Sequence, residues 1–282
     1  MENESYEVLQ VQQDQNVIQV DAIERANVDS QVATAKQYPR DVRRCVDNSI
    51  VMATIDKKTA QSCGYALPRG GKMLTGPSVH LAKLIVRNWG NIRAEAKVVQ
   101  ITDKQVVSRG TCWDLENNVA TAFEVRRSII GKTGHRFSDD MITVTGNAAN
   151  AIAYRNAVFS VIPKTVVDKV YESTQKYIIG DISDDDKLLT RRKNCIDFFK
   201  NEYGISEEEV VKLCGKQTVN QIKTEQIALL IGITQAITDG DTTVDELMAP
   251  FRKKEKINSI AEMAAEAAKA DTAKKKKKKE EK

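Results

Sequence analysis

The stretch from Gly76 to Pro163 constrains the fold most, because its hydrophobic period passes from helix to strand and back within one run. GPSVHLAKLIVRNWG reads as a helix. Pro77 suits a first turn, Leu81, Leu84, Ile85 and Trp89 fall on one stripe, and Gly90 closes it. Three alternating runs rich in Val, Ile and Thr follow, at Ile92–Ile101, Lys104–Leu115 and Val119–Ile130. NAANAIAYRNAVFSVIP, after Thr145-Gly146, is a second helix that is apolar almost all round until Pro163. Alternation puts Arg93, Glu95 and Lys97 on one face of the sheet and Ala94, Ala96 and Val98 on the other. An apolar sheet face must be covered, and the second helix is its natural cover.

Around this unit the chain divides into segments. Residues 1–32 show no lasting period and read as a mostly disordered acidic arm, with a short strand at Val17–Val20 as the one candidate element. A helical pattern runs from Val32 to Ala60. CGYALPRGGKMLTGPS then reads as a loop punctuated by Gly64, Pro68, Gly70, Gly71 and Gly76. Residues 33–178 form the expected core. IGDISDDDK supplies an acidic linker at 179–187, and residues 188–251 read as a small helical module for protein contacts. In that module Ser206 and Glu209 make a capping box, and a helix from Thr224 is closed by Asp239-Gly240. Residues 252–282 are an Ala/Lys/Glu tail ending KKKKKKEEK.

Charge is segregated along these segments. Residues 1–32 carry a net −6, 33–175 a net +9, 176–251 a net −5 and 252–282 a net +6, which together give the chain its +4. A basic middle between acidic flanks points to a polyanionic partner. The candidate contacts are Arg69 and Lys72 in the glycine loop, Lys83 and Arg87 on one face of the first helix, and Arg93, Lys97, Arg109, Arg126 and Arg127 on the strands. Lys132 and Arg136 join them in GKTGHRFSDD, where basic residues beside His135 and Phe137 suit contact with backbone and bases. Arg155 lies among Ala148, Ile152, Phe159 and Ile162 at helical spacing, so its guanidinium needs either an internal carboxylate or an anion at the sheet edge. Trp113 and Phe123 are expected in the core, with base stacking as the alternative.

Several chemistries fail on composition. Gly-Gly-Lys at 70–72 is not a nucleotide-binding P-loop, since Ala66 and Met73 stand where that motif needs Gly and Ser or Thr. Five cysteines without a CxxC pair argue against a disulfide framework or a zinc site and suit a reducing cytoplasm. No apolar run of about 18 residues suggests a membrane span, and the acidic start is unlike a secretory signal. No cofactor is expected. The best enzymatic alternative is a metal-dependent nuclease using Glu95 and Lys97, but the nearest upstream aspartate, Asp56, lies on a helix before the glycine loop. A phage structural or scaffolding protein is the alternative from another class.

The order of elements, with GPSVHLAKLIVRNWGN, three strands and NAANAIAYRNAVFSVIPKTVVD, resembles the phage-type single-strand annealing proteins, the group of RecT, Redβ and Erf. The segment FFKNEYGISEEEVVKLCGKQTVNQIKTEQI is similar to the helical appendage of phage members. The resemblance implies an α+β fold with a β-β-β-α annealing core flanked by helices, and a small C-terminal helical module. It implies ATP-independent annealing of single-stranded DNA in homologous recombination, by homo-oligomeric rings or filaments in the cytoplasm of a bacterium or phage-infected host. The family's groove would fall here on Arg87, Arg93, Arg109, Arg126, Arg127 and Arg155. The helical module would be the place for a partner exonuclease or single-strand-binding protein.

Overall fold

The computed structural model describes residues 22–69, 72–131, 133–180 and 185–252, and it is α+β. Two compact units form. One comprises residues 1–56 with 78–173, and the other 57–77 with 174–282.

In the first unit, α1 covers residues 22–37, so the expected disorder does not extend through residue 32. Its sequence is free of Gly and Pro, and its last turn is held from outside: Asn91 Nδ2 donates to the carbonyls of Ala35 (3.4 Å) and Tyr38 (3.0 Å). The expected strand at Val17–Val20 lies outside the described residues. The next helix, α2 (Val42–Ala53), is capped by Asp41, which accepts from the Arg44 amide. The first helix of the core, α4 (Val79–Trp89), starts after Ser78, whose hydroxyl accepts from the amides of His80 and Leu81. Pro77 therefore ends a strand instead of opening the helix. Gly90 closes α4 with φ 69°, a left-handed value suited to glycine.

Strands β3 (Ile92–Ile101), β4 (Gln105–Asp114) and β5 (Val119–Ser128) form an antiparallel meander in the order β3-β4-β5, close to the expected boundaries. A bulge between Val98 and Gln100 takes Val99 out of register. The covering helix, α5 (Asp139–Val161), lies across all three strands. It begins about two turns earlier than the sequence pattern suggests, because Ser138 caps it and Asp139 and Asp140 occupy the positive end of its dipole. Gly146 is thus not a boundary but a contact: a Cβ there would lie 3.2 Å from Val98 Cγ2. The tightest approach is at Gly110 of β4, where an added Cβ would stand 2.3 Å from the Ala153 carbonyl oxygen. Val106, Ile129, Ile142 and Ala149 pack together in this layer. The chain continues into α6 (Lys164–Gly180), which passes from the first unit into the second.

In the second unit the glycine-punctuated segment is not a loop. It forms a hairpin, β1 (Gly64–Arg69) with β2 (Lys72–Pro77), paired from Gly64↔Pro77 to Arg69↔Lys72. With α3 (Lys57–Ser62) it belongs to the C-terminal helices, which corrects the expected domain division. The reason is packing. Ala66 meets Gly232 of α9 (Thr224–Thr238), where an added Cβ would be 3.0 Å away. Helices α7 (Asp185–Tyr203), α8 (Glu207–Leu213) and α10 (residues 244–252) complete the unit around Phe199, Leu230, Ile233 and Leu247. The capping box forms as expected: Ser206 and Glu209 bond reciprocally, and Arg252 Nε donates to Glu209 at 2.9 Å. Among the described residues, no helix is long and apolar enough to cross a membrane.

Candidate nucleic-acid interface

Register sorts the strand side chains, because directly opposed residues share a face. Toward α5 point Ala94, Ala96 and Val98 of β3, Val106, Ser108, Gly110, Cys112 and Asp114 of β4, and Thr121, Phe123, Val125 and Arg127 of β5. The other face reads in rows: Arg93–Trp113–Ala120, Glu95–Thr111–Ala122, Lys97–Arg109–Glu124 and Gln100–Val107–Arg126. Four cations and two carboxylates therefore share this open face. Lys97 and Arg109 oppose each other directly across the ladder and Glu124 stands on the other side of Arg109, so this row carries two cations to one carboxylate. Lys97, Arg109 and Arg126 are exposed and make no ion pair within the described residues. Arg93 is 3.7 Å from Glu24 of α1.

Trp113 is not in the core. It is half-buried on the open face, its indole Nε1 donating to Asn118 Oδ1 at 3.3 Å. It borders a shallow depression of about 410 Å³ with Arg93, Glu95, Thr111, Ala120 and Ala122. Phe123 also departs from the expected core role, being 39 % exposed on an edge strand.

The remaining candidates lie elsewhere. Arg127 follows Arg126 along an extended strand and so faces the opposite side, where it is half-buried and already engaged. Arg155 is two residues past Ala153, about 200° around the helix. It therefore does not face the sheet; it is half-buried and engaged. Lys83 and Arg87 are exposed on α4, which packs against α2 and α5 in the helical layer. Arg136 is exposed in the segment before α5, but Phe137 is not available for stacking, as it packs against the Val106–Ile142 cluster. Lys132 lies outside the described residues. Arg69 and Lys72 belong to the second unit.

One ionic site escaped the sequence reading. Arg40 grips Asp114 with two bonds, Nη1 to Oδ2 at 2.7 Å and Nη2 to Oδ1 at 2.5 Å, and its Nε donates to Glu116 Oε2 at 3.0 Å. Asn91 adds a bond to Glu116 at 2.9 Å, and the guanidinium stacks 5.0 Å from the centre of the Trp89 ring. The Arg40 and Asp114 side chains are only 4 % and 6 % exposed. Burial alone would raise the Asp114 carboxyl; the bonds from Arg40 and Asn117 outweigh it and hold it below its ordinary range. Glu116 is likewise depressed, burial being outweighed by Asn91 and Arg40. The signal was present: strand alternation places Asp114 on the inward face, where a carboxylate demands a cation. This site ties the residues before α2 to the β4–β5 turn and leaves Arg40 unavailable to an external anion.

The nuclease pair Glu95 and Lys97 does share the open face, with Glu95 Oε1 accepting from Thr111 at 3.4 Å. Asp114 is on the other side, bound to Arg40. Among the described residues, no group of three or more His, Cys, Asp or Glu could hold a metal ion. All five cysteines are free, and burial pushes the Cys63, Cys112 and Cys214 thiols up to about 12. The second unit carries a separate hollow of about 470 Å³, with Lys58 and Arg191 beside Phe198, Phe199 and Ile231. No family model, curated protein or solved structure matches this chain.

Proposed function

We propose that the protein binds single-stranded nucleic acid along the open face of the β3–β5 sheet and anneals complementary strands without ATP. The observation that carries this is a face with four cations to two carboxylates, on which Lys97, Arg109 and Arg126 are exposed and the half-buried Arg93 stands at one end. Such a face neutralises backbone phosphates without closing over the bases, and Trp113 beside Arg93 offers a stacking surface at its end. Bases held outward on an extended strand remain open to pairing, so annealing requires no acid–base step. The exposed Val98, Val99 and Ile101 on one sheet edge and Val119 and Phe123 on the other support self-association into rings or filaments. The hollow between α3, α7 and α9 suits contact with a recombination partner. Five free cysteines suit work in a reducing cytoplasm.

The test is annealing of two complementary oligonucleotides by the full chain without ATP or divalent metal. Accelerated duplex formation, falling steeply with salt, supports the proposal. Cleavage on adding magnesium would favour a nuclease instead, and assembly with no salt-dependent affinity for DNA would favour a scaffold.

A further inference from the structure

The open face has a second candidate occupant within the chain itself. Residues 1–21 carry Glu2, Glu4, Glu7, Asp14 and Asp21 and no lysine or arginine. Between these acids lie Tyr6, Val8, Leu9, Val11, Val17 and Ile18. The open face offers the complement, with four cations to two carboxylates and an indole-walled depression lined by Ala120 and Ala122.

Position supports the match. The groove beside α1 brings Ser30, Gln31 and Thr34 against Asn91, Ile92 and Arg93. Near the start of the same helix, Glu24 Oε2 stands 3.7 Å from Arg93 Nη2. An exposed pair of this kind contributes little stability, but it marks the first turn of α1 as lying beside Arg93. The start of α1, to which residues 1–21 are joined, therefore lies beside the first cation of the open face. Reach is not limiting: about 20 extended residues span up to roughly 70 Å, against about 33 Å for a ten-residue strand.

We propose that residues 1–21 dock on the open face of the β3–β5 sheet of their own chain and compete there with a polyanionic strand. The docking stands on charge and position alone; the competition rests on the nucleic-acid function proposed above. The segment acts as a tethered acidic competitor. It suppresses weak, non-specific polyanion binding and is displaced by a strand long enough to engage all four cations.

Zero-length carbodiimide coupling of the full chain at low salt, without nucleic acid, tests the docking. Lys97 is the lysine of the open face, so mass spectrometry should find carboxylates of residues 1–21 joined chiefly to Lys97. Mixing isotope-labelled and unlabelled chains should show those links within single copies. Links to other lysines, or links between copies, would overturn the docking.

The competition is tested on the full chain carrying Glu2→Gln, Glu4→Gln, Glu7→Gln, Asp14→Asn and Asp21→Asn together. Its affinity for a short oligonucleotide should rise about tenfold at low salt, and the gain should vanish at high salt. Unchanged affinity alongside a Lys97 cross-link would overturn the competition. If neither protein binds the oligonucleotide while the cross-link forms, the docking stands and the nucleic-acid function falls.

Discussion

The two faces of the β3–β5 sheet are built from the same three ten-residue strands, yet they obey opposite rules. The inner face is small where α5 comes nearest, at Gly110 of β4. Gly110 admits the α5 backbone so closely that no side chain fits, and Gly146 and Ala149 continue the seam. Its one buried acid, Asp114, is fully engaged by Arg40 and Asn117. The outer face tolerates a directly opposed Lys97 and Arg109 and leaves both exposed. With Glu124 opposite Arg109, that row still holds an excess cation open to an anion. The difference separates side chains that hold the unit together from those available to a ligand, even between neighbours such as Arg126 and Arg127.

The largest effect should come from closing the seam. Gly110→Val places atoms against the Ala153 carbonyl and should cost roughly 3 kcal/mol or more, a large part of the stability of the first unit. Urea unfolding followed by tryptophan fluorescence would show it. A variant at Gly110 as stable as the parent would mean that α5 does not lie where the inner face requires it.

Next is the inward acid. Asp114→Ala removes both Nη bonds of the buried Arg40 and leaves Glu116 as its remaining carboxylate partner, which should cost about 3 kcal/mol. The same site sets an acid limit. Asp114 and Glu116 have folded-state pKa values below their unfolded ones, so their stabilisation is present above the ordinary carboxylate range. It is lost as pH falls through the depressed folded values. Urea midpoints should therefore drop between pH 5 and pH 3, and Asp114→Asn should flatten that drop. An unchanged acid profile in the variant would remove the site from the account.

On the outer face, stability and binding should part company. Replacing Arg93, Lys97, Arg109 and Arg126 with Gln should change stability by no more than about 0.5 kcal/mol each. It should also lower the salt slope of single-strand binding by up to roughly three units, at about 0.7 per lost phosphate contact. Parallel melting curves and salt titrations give both numbers, and a slope equal to the parent's would move the interface elsewhere.

The finest comparison is between adjacent residues. Arg126→Gln should lower the salt slope by about 0.7, while Arg127→Gln should leave the slope alone and act on stability only. Arg155→Ala should behave like Arg127→Gln, because it is turned away from the sheet. Equal slopes for the two strand variants would erase the distinction between the faces.

The sequence by itself determined the local geometry. Period-two alternation marked β3, β4 and β5 within a few residues, since a strand's faces follow from its backbone. Short-range capping chemistry located the Ser206 box, and helical spacing with the Asp239-Gly240 stop located the helix from Thr224. Alternation also put Arg93 and Lys97 together, and with the register Arg109 and Arg126 join them. What tertiary structure alone decided was everything that depends on a distant partner. Arg40 meets Asp114 across 74 positions, Gly110 and Gly146 serve contacts instead of turns, and the hairpin from Gly64 to Pro77 packs on a helix near the other end of the chain. Arg155 shared a helical stripe with apolar residues, but only the position of Ala153 over Gly110 showed which side of α5 meets the sheet. Backbone periodicity is written residue by residue, whereas burial, close approach and ion pairing are fixed only when remote segments meet.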